Sequence, residues 1–297
     1  MSTYNLNLWF QATKPKTLLA GIAPVILGTG LFFNYTNTIL PIVAIVTILC
    51  TVFLQIGTNL VNDYFDFLTG IDNKFRLGPQ RMSISGAIAP AHIKTGFLIS
   101  FILSFLLGIY LMNIGGLPII IIGLTSIVFA YIYTGGPFPL SHYPLGELLA
   151  FIFFGPIAVW GTFYLQTKVI SPIPILIGAG QGLTAAVIMS VNNLRDSIND
   201  KKHRKNTLFV LLGEKRGRKV SLIFIIGTML IPIFHYLIFS KNVIILLNAF
   251  VPLLFYKTWL EILNAPITSE LNLTLGKAGL FSFVYSVIYS LTLIIVS

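Results

Sequence analysis

Asp63, Asp66 and Asp72 fall within twelve residues, "VNDYFDFLTGID" (61–72), of a 297-residue chain that holds only nine acids. A second polar stretch, "VNNLRDSINDKKHRKN" (191–206), repeats the spacing. Asn62 precedes Asp66 by four positions; Asn192 precedes Asp196 by four, and Asp200 follows four later. Residues at i and i+4 share a helix face, so each stretch points an amide and at least one carboxylate the same way. Oxygen donors with few nitrogens or sulfurs suit Mg²⁺, which is usually held by one or two carboxylates together with substrate phosphates. The candidate ligands are Asn62, Asp63, Asp66 and Asp72 in the first stretch, and Asn192, Asp196 and Asp200 in the second. Lys74, Arg76, Arg81, Arg195, Lys201 and Lys202 are interleaved with them and can meet phosphate oxygens directly. Carboxylates, Mg²⁺, a diphosphate and basic side chains make a self-consistent set.

The elements that must position these groups are apolar. The chain is 56% hydrophobic and 9% charged, with a mean hydropathy of +0.88. Soluble domains carry about 25% charged residues, so this composition belongs to a membrane protein. A spanning helix needs about 20 apolar residues. Nine candidates lie at about 18–36, 38–61, 93–113, 117–134, 146–166, 171–192, 219–239, 242–259 and 278–296, and no soluble domain of ordinary size remains between them. The expected fold is all-α, with nine transmembrane helices. With a cytoplasmic N-terminus and alternating spans, 17 of the 19 lysines and arginines fall on the cytoplasmic side; only Lys168 and Lys241 fall outside. That asymmetry follows the positive-inside rule and places the C-terminus externally. The working face is therefore cytoplasmic. The net charge of +10 describes that face and does not point to nucleic acid; part of "KKHRKN" (201–206) suits anionic lipid heads. The single cysteine, Cys50, excludes an internal disulfide and a cysteine metal site.

The two polar stretches end helices 2 and 6 of this count. The chain then reads as one domain of two degenerate four-helix halves, about 18–134 and 146–259, with an extra helix at 278–296. In such membrane repeats the active cavity sits where the halves meet. Asp72 lies six residues after Asp66, which on a continuous helix turns it away by about 240°. It reaches the same ion only if helix 2 breaks at about residues 68–71, where Gly70 permits an unusual backbone. A lipid diphosphate satisfies both the polar ends and the apolar bundle. A divalent-cation or phosphate transporter is the rival class, since intramembrane acids mark ion paths. A path, however, needs polar groups through the full thickness, and the external half is almost bare of charge.

"NDYFDFLTGID", "LGPQRMSISG" (77–86), "YTGGPFPLSHYPLGEL" (133–148), "FFGPIAVWGTFY" (153–164) and "NNLRDSINDKKHRKNTL" (192–208) together resemble the UbiA-type membrane prenyltransferases. The match is closest to the menaquinone branch, whose members prenylate 1,4-dihydroxy-2-naphthoate. The resemblance implies helices around a central cavity open to the cytoplasmic side, with Mg²⁺ between the two aspartate motifs. It implies Mg²⁺-dependent transfer from polyprenyl diphosphate to a ring carbon of the dihydroxynaphthoate, with loss of CO₂, giving demethylmenaquinol. It further implies that Asp66, Asp196 and Asp200 are catalytic and that Asn62, Asn192, Arg81, Arg195, Lys201 and Lys74 face substrate. Tyr133 would orient or deprotonate the acceptor, and Arg81 would hold the acceptor carboxylate or the diphosphate. The broad family places a lysine shortly after the tyrosine of the helix 4–5 loop; this chain has none there.

Overall fold

The computed structural model describes residues 5–70 and 76–297. Asp72 and Lys74 lie outside the described residues. Helices form wherever the apolar segments stand. A short amphipathic helix, α1 (Leu6–Ala12), precedes α2 (Pro15–Thr36), α3 (Pro41–Leu68), α4 (Pro90–Gly115) and α5 (Leu117–Ile132). The second half continues with α6 (Gly146–Thr167), α7 (Ile173–Lys202), the short α8 (Leu208–Leu212), α9 (Glu214–Ser240), α10 (Val243–Asn264) and α11 (Leu271–Ile295).

All nine expected segments are helical, but among the described residues eight are long and apolar enough to cross a membrane. The exception is α5, with 16 residues. At 1.5 Å per residue it reaches about 24 Å, short of a hydrocarbon core of about 30 Å. Its length is set by its neighbours in the chain. Gly116 turns at φ +63° just before it, and Gly135–Gly136 follow its end.

Two helices outrun their apolar segments. The second span was expected to stop near residue 61 and the sixth near 192, yet α3 continues to Leu68 and α7 to Lys202. Both polar motifs therefore sit on continuous helix, and the four-residue spacing does place its members on one face. The chain leaves α3 where the sequence suggested, with Gly70 at φ +64°.

Close packing relies on small residues, as expected where lipid removes the hydrophobic drive between helices. A Cβ on Gly28 would stand 2.6 Å from Thr162 Cβ, and one on Gly30 2.6 Å from Ser290 Cβ. A closer crossing joins α6 to α7. Pro156 lies in a wide π turn of α6 beside Gly155, whose φ/ψ of −113°/−109° leaves the helix. The opening lets Gly155 lie against Gly178 and Gly182 of "GAGQG" (178–182), a small-xxx-small pair that the hydropathy reading passed over.

The interior is uneven. In the second half, Trp259, Phe281, Tyr285 and Tyr289 fill the space between α7, α9, α10 and α11. Gln181 Nε2 donates to Ser282 Oγ (2.9 Å), and Ser286 Oγ donates to Gln181 Oε1 (2.6 Å), so the buried amide is satisfied. Helices α1 to α7 and the start of α11 instead surround a cavity of about 960 Å³. No described residue between 208 and 271 lines it. The cavity thus lies among α1 to α7 and the start of α11, and α8, α9 and α10 take no part in its wall.

Candidate active site

Successive helices alternate in direction, so the start of α2, the end of α3, the start of α6 and the end of α7 meet at one end of the bundle. Every charged residue lining the cavity belongs to this end. At the opposite end Val43, Leu111, Ile119 and Leu165 pack together and close the chamber with apolar side chains.

Asp66 is the centre of the polar end and is 5% exposed. Arg81 Nη2 donates to its Oδ2 at 2.5 Å, and Lys205 Nζ stands 3.6 Å from its Oδ1. Oδ1 is buried with no hydrogen-bond donor in range among the described residues. Arg81 comes from the segment between α3 and α4, which Asp63 holds down. Met82 N (3.0 Å) donates to Asp63 Oδ2, and Ser83 N (3.2 Å) and Ser83 Oγ donate to Oδ1. Asp63 also lines the cavity. Both its oxygens are taken by the loop that carries Arg81. Asn62, one residue earlier, lines the cavity and accepts from Thr134 Oγ1.

The second motif carries its own cation. Arg195 is 2% exposed and grips Asp196 with two bonds, Nε to Oδ1 (2.8 Å) and Nη2 to Oδ2 (2.6 Å). Its Nη2 also donates to Asn192 Oδ1 (2.8 Å), and its Nη1 to Asn272 Oδ1 (2.9 Å). Asn272 in turn donates to Leu77 O (2.7 Å). Arg195 is therefore an internal brace that orients Asn192 and Asp196 and ties α7 to α11 and the Arg81 loop. It also lines the cavity, where the sequence reading places substrate. Arg76 Nη2 lies 3.7 Å from Asp196 Oδ2. Asp200 is buried and lines the same cavity, as its spacing required.

Lys201 does not reach the site. It is exposed at the end of α7 and does not line the cavity. Lys205 takes the place expected of it. Arg204 adopts a left-handed φ of +56°, which reverses the chain so that Lys205 N bonds back to Asp200 O (2.9 Å) and its side chain turns inward. Within "KKHRKN" every residue has the same polar character, so local sequence carried no signal for which lysine faces in. Lys14 was likewise counted only for topology. It precedes Pro15, which disfavours the right-handed helical backbone, and its φ of +51° breaks α1 from α2 and brings it to the cavity. Burial, then the charges of Arg81 and Arg76, hold its ammonium well below the usual lysine range.

Tyr133 caps the end of α5. Its hydroxyl lies 3.6 Å from Met189 Sδ. A Cβ on Gly146 would come within 2.9 Å of that oxygen, so the approach depends on glycine at 146. Next to it Asn193 Nδ2 donates to the buried Glu147 (2.9 Å). Glu147 backs the wall and is absent from the lining. Among the described residues, no three His, Cys, Asp or Glu side chains converge as a ready-made cage. The donors instead come from two helices facing one space, the pattern of a divalent ion shared between protein carboxylates and a phosphorylated ligand.

Fold and site define an all-helical integral membrane protein with a large cavity that is charged at one end and mostly apolar at the other. The chain belongs to the UbiA prenyltransferase family, whose model matches residues 22–273. It is 36% identical over 225 residues to the 1,4-dihydroxy-2-naphthoate octaprenyltransferase of Haemophilus influenzae, covering 73% of each chain. It is also 36% identical over 208 residues to the enzyme of that name from Bacillus subtilis, covering 70% of this chain and 66% of that one. Among solved structures, a UbiA homolog from Archaeoglobus fulgidus bound to GPP and Mg²⁺ superposes with a TM-score of 0.67 at 19% identity. The match covers 97% of this chain and 99% of that one, and the likeness is one of fold.

Proposed function

We propose that this protein transfers a polyprenyl group from polyprenyl diphosphate to a ring carbon of 1,4-dihydroxy-2-naphthoate, with loss of CO₂ from the acceptor. One observation carries the reading. Asp66, Asp196 and Asp200, from motifs 130 residues apart in sequence, line the charged end of one cavity whose remaining wall is mostly apolar.

Asn62, Asp66, Asp196 and Asp200 would hold Mg²⁺, and the donor set fits. It is all oxygen, and Asp66 Oδ1 is buried without a donor. Bound there, the ion supplies positive charge that offsets what builds on the leaving diphosphate. Arg76, Arg81 and Lys14 face the same space and bind the diphosphate oxygens. Asp63 keeps Arg81 in place. Tyr133 donates a hydrogen bond to an acceptor hydroxyl. The isoprenoid lies along the apolar chamber. From Thr47 to Asp66, both lining residues of α3, the helix rises about 28 Å, so the chamber runs most of the membrane thickness. Breaking the bond between the allylic carbon and the diphosphate oxygen leaves cationic character on carbon, and the electron-rich ring attacks it. The dry wall excludes water that would otherwise capture that carbon.

Purified protein given one prenyl diphosphate and a panel of aromatic acceptors should yield a prenylated naphthalene by mass, with pyrophosphate release that stops when Mg²⁺ is chelated. A product from a benzoate or haem acceptor alone, or no release with Mg²⁺ present, overturns the reading.

The cavity opens to the cytoplasm, the N-terminus is cytoplasmic and the C-terminus external, a reading supported by the lysine and arginine asymmetry. Nine crossings are required, with α5 completing its passage through the residues that flank it. A reporter fused after Ser297 should be accessible from outside the cell; a cytoplasmic signal would remove one crossing. We read the two halves as degenerate copies, because each Asn-xxx-Asp helix is followed by a loop that returns a cation to Asp66, Arg81 in one half and Lys205 in the other.

A further inference from the structure

We propose that Lys205, Ser141 and Thr207 form the subsite for the carboxylate of the aromatic acceptor, apart from the cations that face the diphosphate. The assignment rests on the reading above that the acceptor is a hydroxynaphthoate.

Three donors stand at one part of the cavity wall without a full set of acceptors. Lys205 is 9% exposed, and its Nζ is 3.6 Å from Asp66 Oδ1, beyond hydrogen-bond range. An ammonium has three donors to place. Thr207 is 5% exposed. Its Oγ1, like Ser141 Oγ, is buried with no hydrogen-bond partner among the described residues, although both residues line the cavity. A buried hydroxyl left unpaired costs about 1–3 kcal/mol, so two of them beside a lysine point to a ligand that accepts. Thr207 immediately precedes α8 and its hydroxyl is not used to cap that helix.

The three groups are held together by backbone. Asn206 N donates to His142 O (2.9 Å), which joins the loop after α7 to the loop after α5, and Ser141 N donates to Tyr133 O (2.7 Å). The subsite is thus fixed to Tyr133, the donor placed for an acceptor hydroxyl. The other cations approach Asp66 differently. Arg81 holds Oδ2, whereas Lys205 faces Oδ1. Arg76 leans toward Asp196. One ammonium and two hydroxyls match a single carboxylate, whose two oxygens offer about four acceptor positions. The more numerous charges of a diphosphate match the guanidinium side.

The test uses the full chain in detergent or nanodiscs with two probes that differ only by the carboxyl group, 1-hydroxy-2-naphthoate and 1-naphthol. Lys205→Met should weaken binding of the naphthoate about tenfold or more, the effect of losing a charged hydrogen bond, and change naphthol binding less than about twofold. Lys205→Arg should retain most of the naphthoate affinity. Ser141→Ala and Thr207→Ala should each weaken the naphthoate a few-fold and leave naphthol alone. In turnover, Lys205→Met should raise KM for the dihydroxynaphthoate and leave KM for the prenyl diphosphate unchanged. Equal weakening of both probes, or a rise confined to the donor KM, overturns the assignment and leaves the prenyl-transfer reading standing. If the wild-type chain transfers prenyl to no naphthoate and binds the naphthoate no better than naphthol, that reading falls and the assignment falls with it.

Discussion

Asp66→Ala and Asp196→Ala are each expected to lower kcat by about a thousandfold or more, roughly 4 kcal/mol of barrier, while the purified protein keeps its helical circular-dichroism signal. The effect at Asp66 is large because this one carboxylate meets several demands. It neutralises Arg81 at 2.5 Å and Lys205 at 3.6 Å, and its unpaired Oδ1 would be a ligand in the proposed metal site. Removing it leaves two cations facing each other at a buried site, where breaking an ion pair by deleting one partner costs about 3–5 kcal/mol. The lost stability is confined to the cavity mouth, because the core of α7, α9, α10 and α11 does not touch Asp66. Asp66→Asn separates charge from shape: it keeps the side-chain outline and should be nearly as inactive as alanine. At Asp196 the change strips Arg195 of its bidentate partner and leaves the guanidinium with Asn192 and Asn272, so the second half of the metal site is lost by the same logic. Asp63→Ala is the informative contrast. It should act through the loop that carries Arg81, raising the donor KM while the Mg²⁺ concentration for half-maximal activity stays near the wild-type value. Near-normal turnover of Asp66→Ala or Asp196→Ala at low Mg²⁺ would refute the paired-cluster site.

Gly182→Val should prevent stable folding, with a loss of about 3 kcal/mol or more, the upper end of overpacking effects. A Cβ at this position would lie 2.3 Å from Phe151 O and 3.0 Å from Phe151 C. Both are main-chain atoms, so no side-chain rotation relieves the clash and α6 must move away from α7. The same crossing is tight from the other side, since a Cβ on Gly155 would meet Gly178 O at 2.5 Å and Gly182 Cα at 2.6 Å. The displacement reaches the site through both helices. α6 begins at Gly146, against the Tyr133 hydroxyl, and α7 carries Asn192, Asp196 and Asp200. Gly108→Ala is the matched control; its Cβ would find only Met112 Cε at 3.9 Å, an ordinary contact with the end of a flexible side chain, and should melt like the wild type. Equal thermal stability of Gly182→Val and the wild type would mean that the α6–α7 crossing is looser than the backbone contact implies.

How far the site was legible follows from the range over which each feature is determined. Asn62, Asp66, Asn192, Asp196 and Asp200 were readable because four-residue spacing is a property of one helix, and the structure continues both helices far enough to make it apply. Gly70 was readable as a break because its backbone freedom is a property of one residue. Asp63 is the opposite case. Its chemistry is the same as that of Asp66 three residues on, and only the return of Met82 and Ser83 to its oxygens gives it a different task. Arg195 reads as a phosphate ligand beside Asp196, and only the structure shows that it also reaches Asn272, 77 positions away.

By itself the sequence determined that the chain is a membrane-embedded helical bundle, where its spans lie and which end carries the charge. Hydropathy and charge are sums over neighbouring residues, and the bilayer enforces them without reference to the rest of the fold. Only the tertiary structure decided which of nineteen basic residues serve the cavity. Lys16 and Arg195 line it from α2 and α7; Lys14, Arg81 and Lys205 reach it because a left-handed turn at Lys14, the Asp63-bound loop and a left-handed turn at Arg204 aim them there, while Lys201 and Lys202 on the same basic run as Lys205 remain in solvent. The tertiary structure also decided that the bundle packs solid around Gln181, Tyr285 and Tyr289 while it stays hollow between α2 and α7. Segments of similar hydropathy differ there because volume depends on how side chains from several helices meet, and no single segment of the chain contains that information.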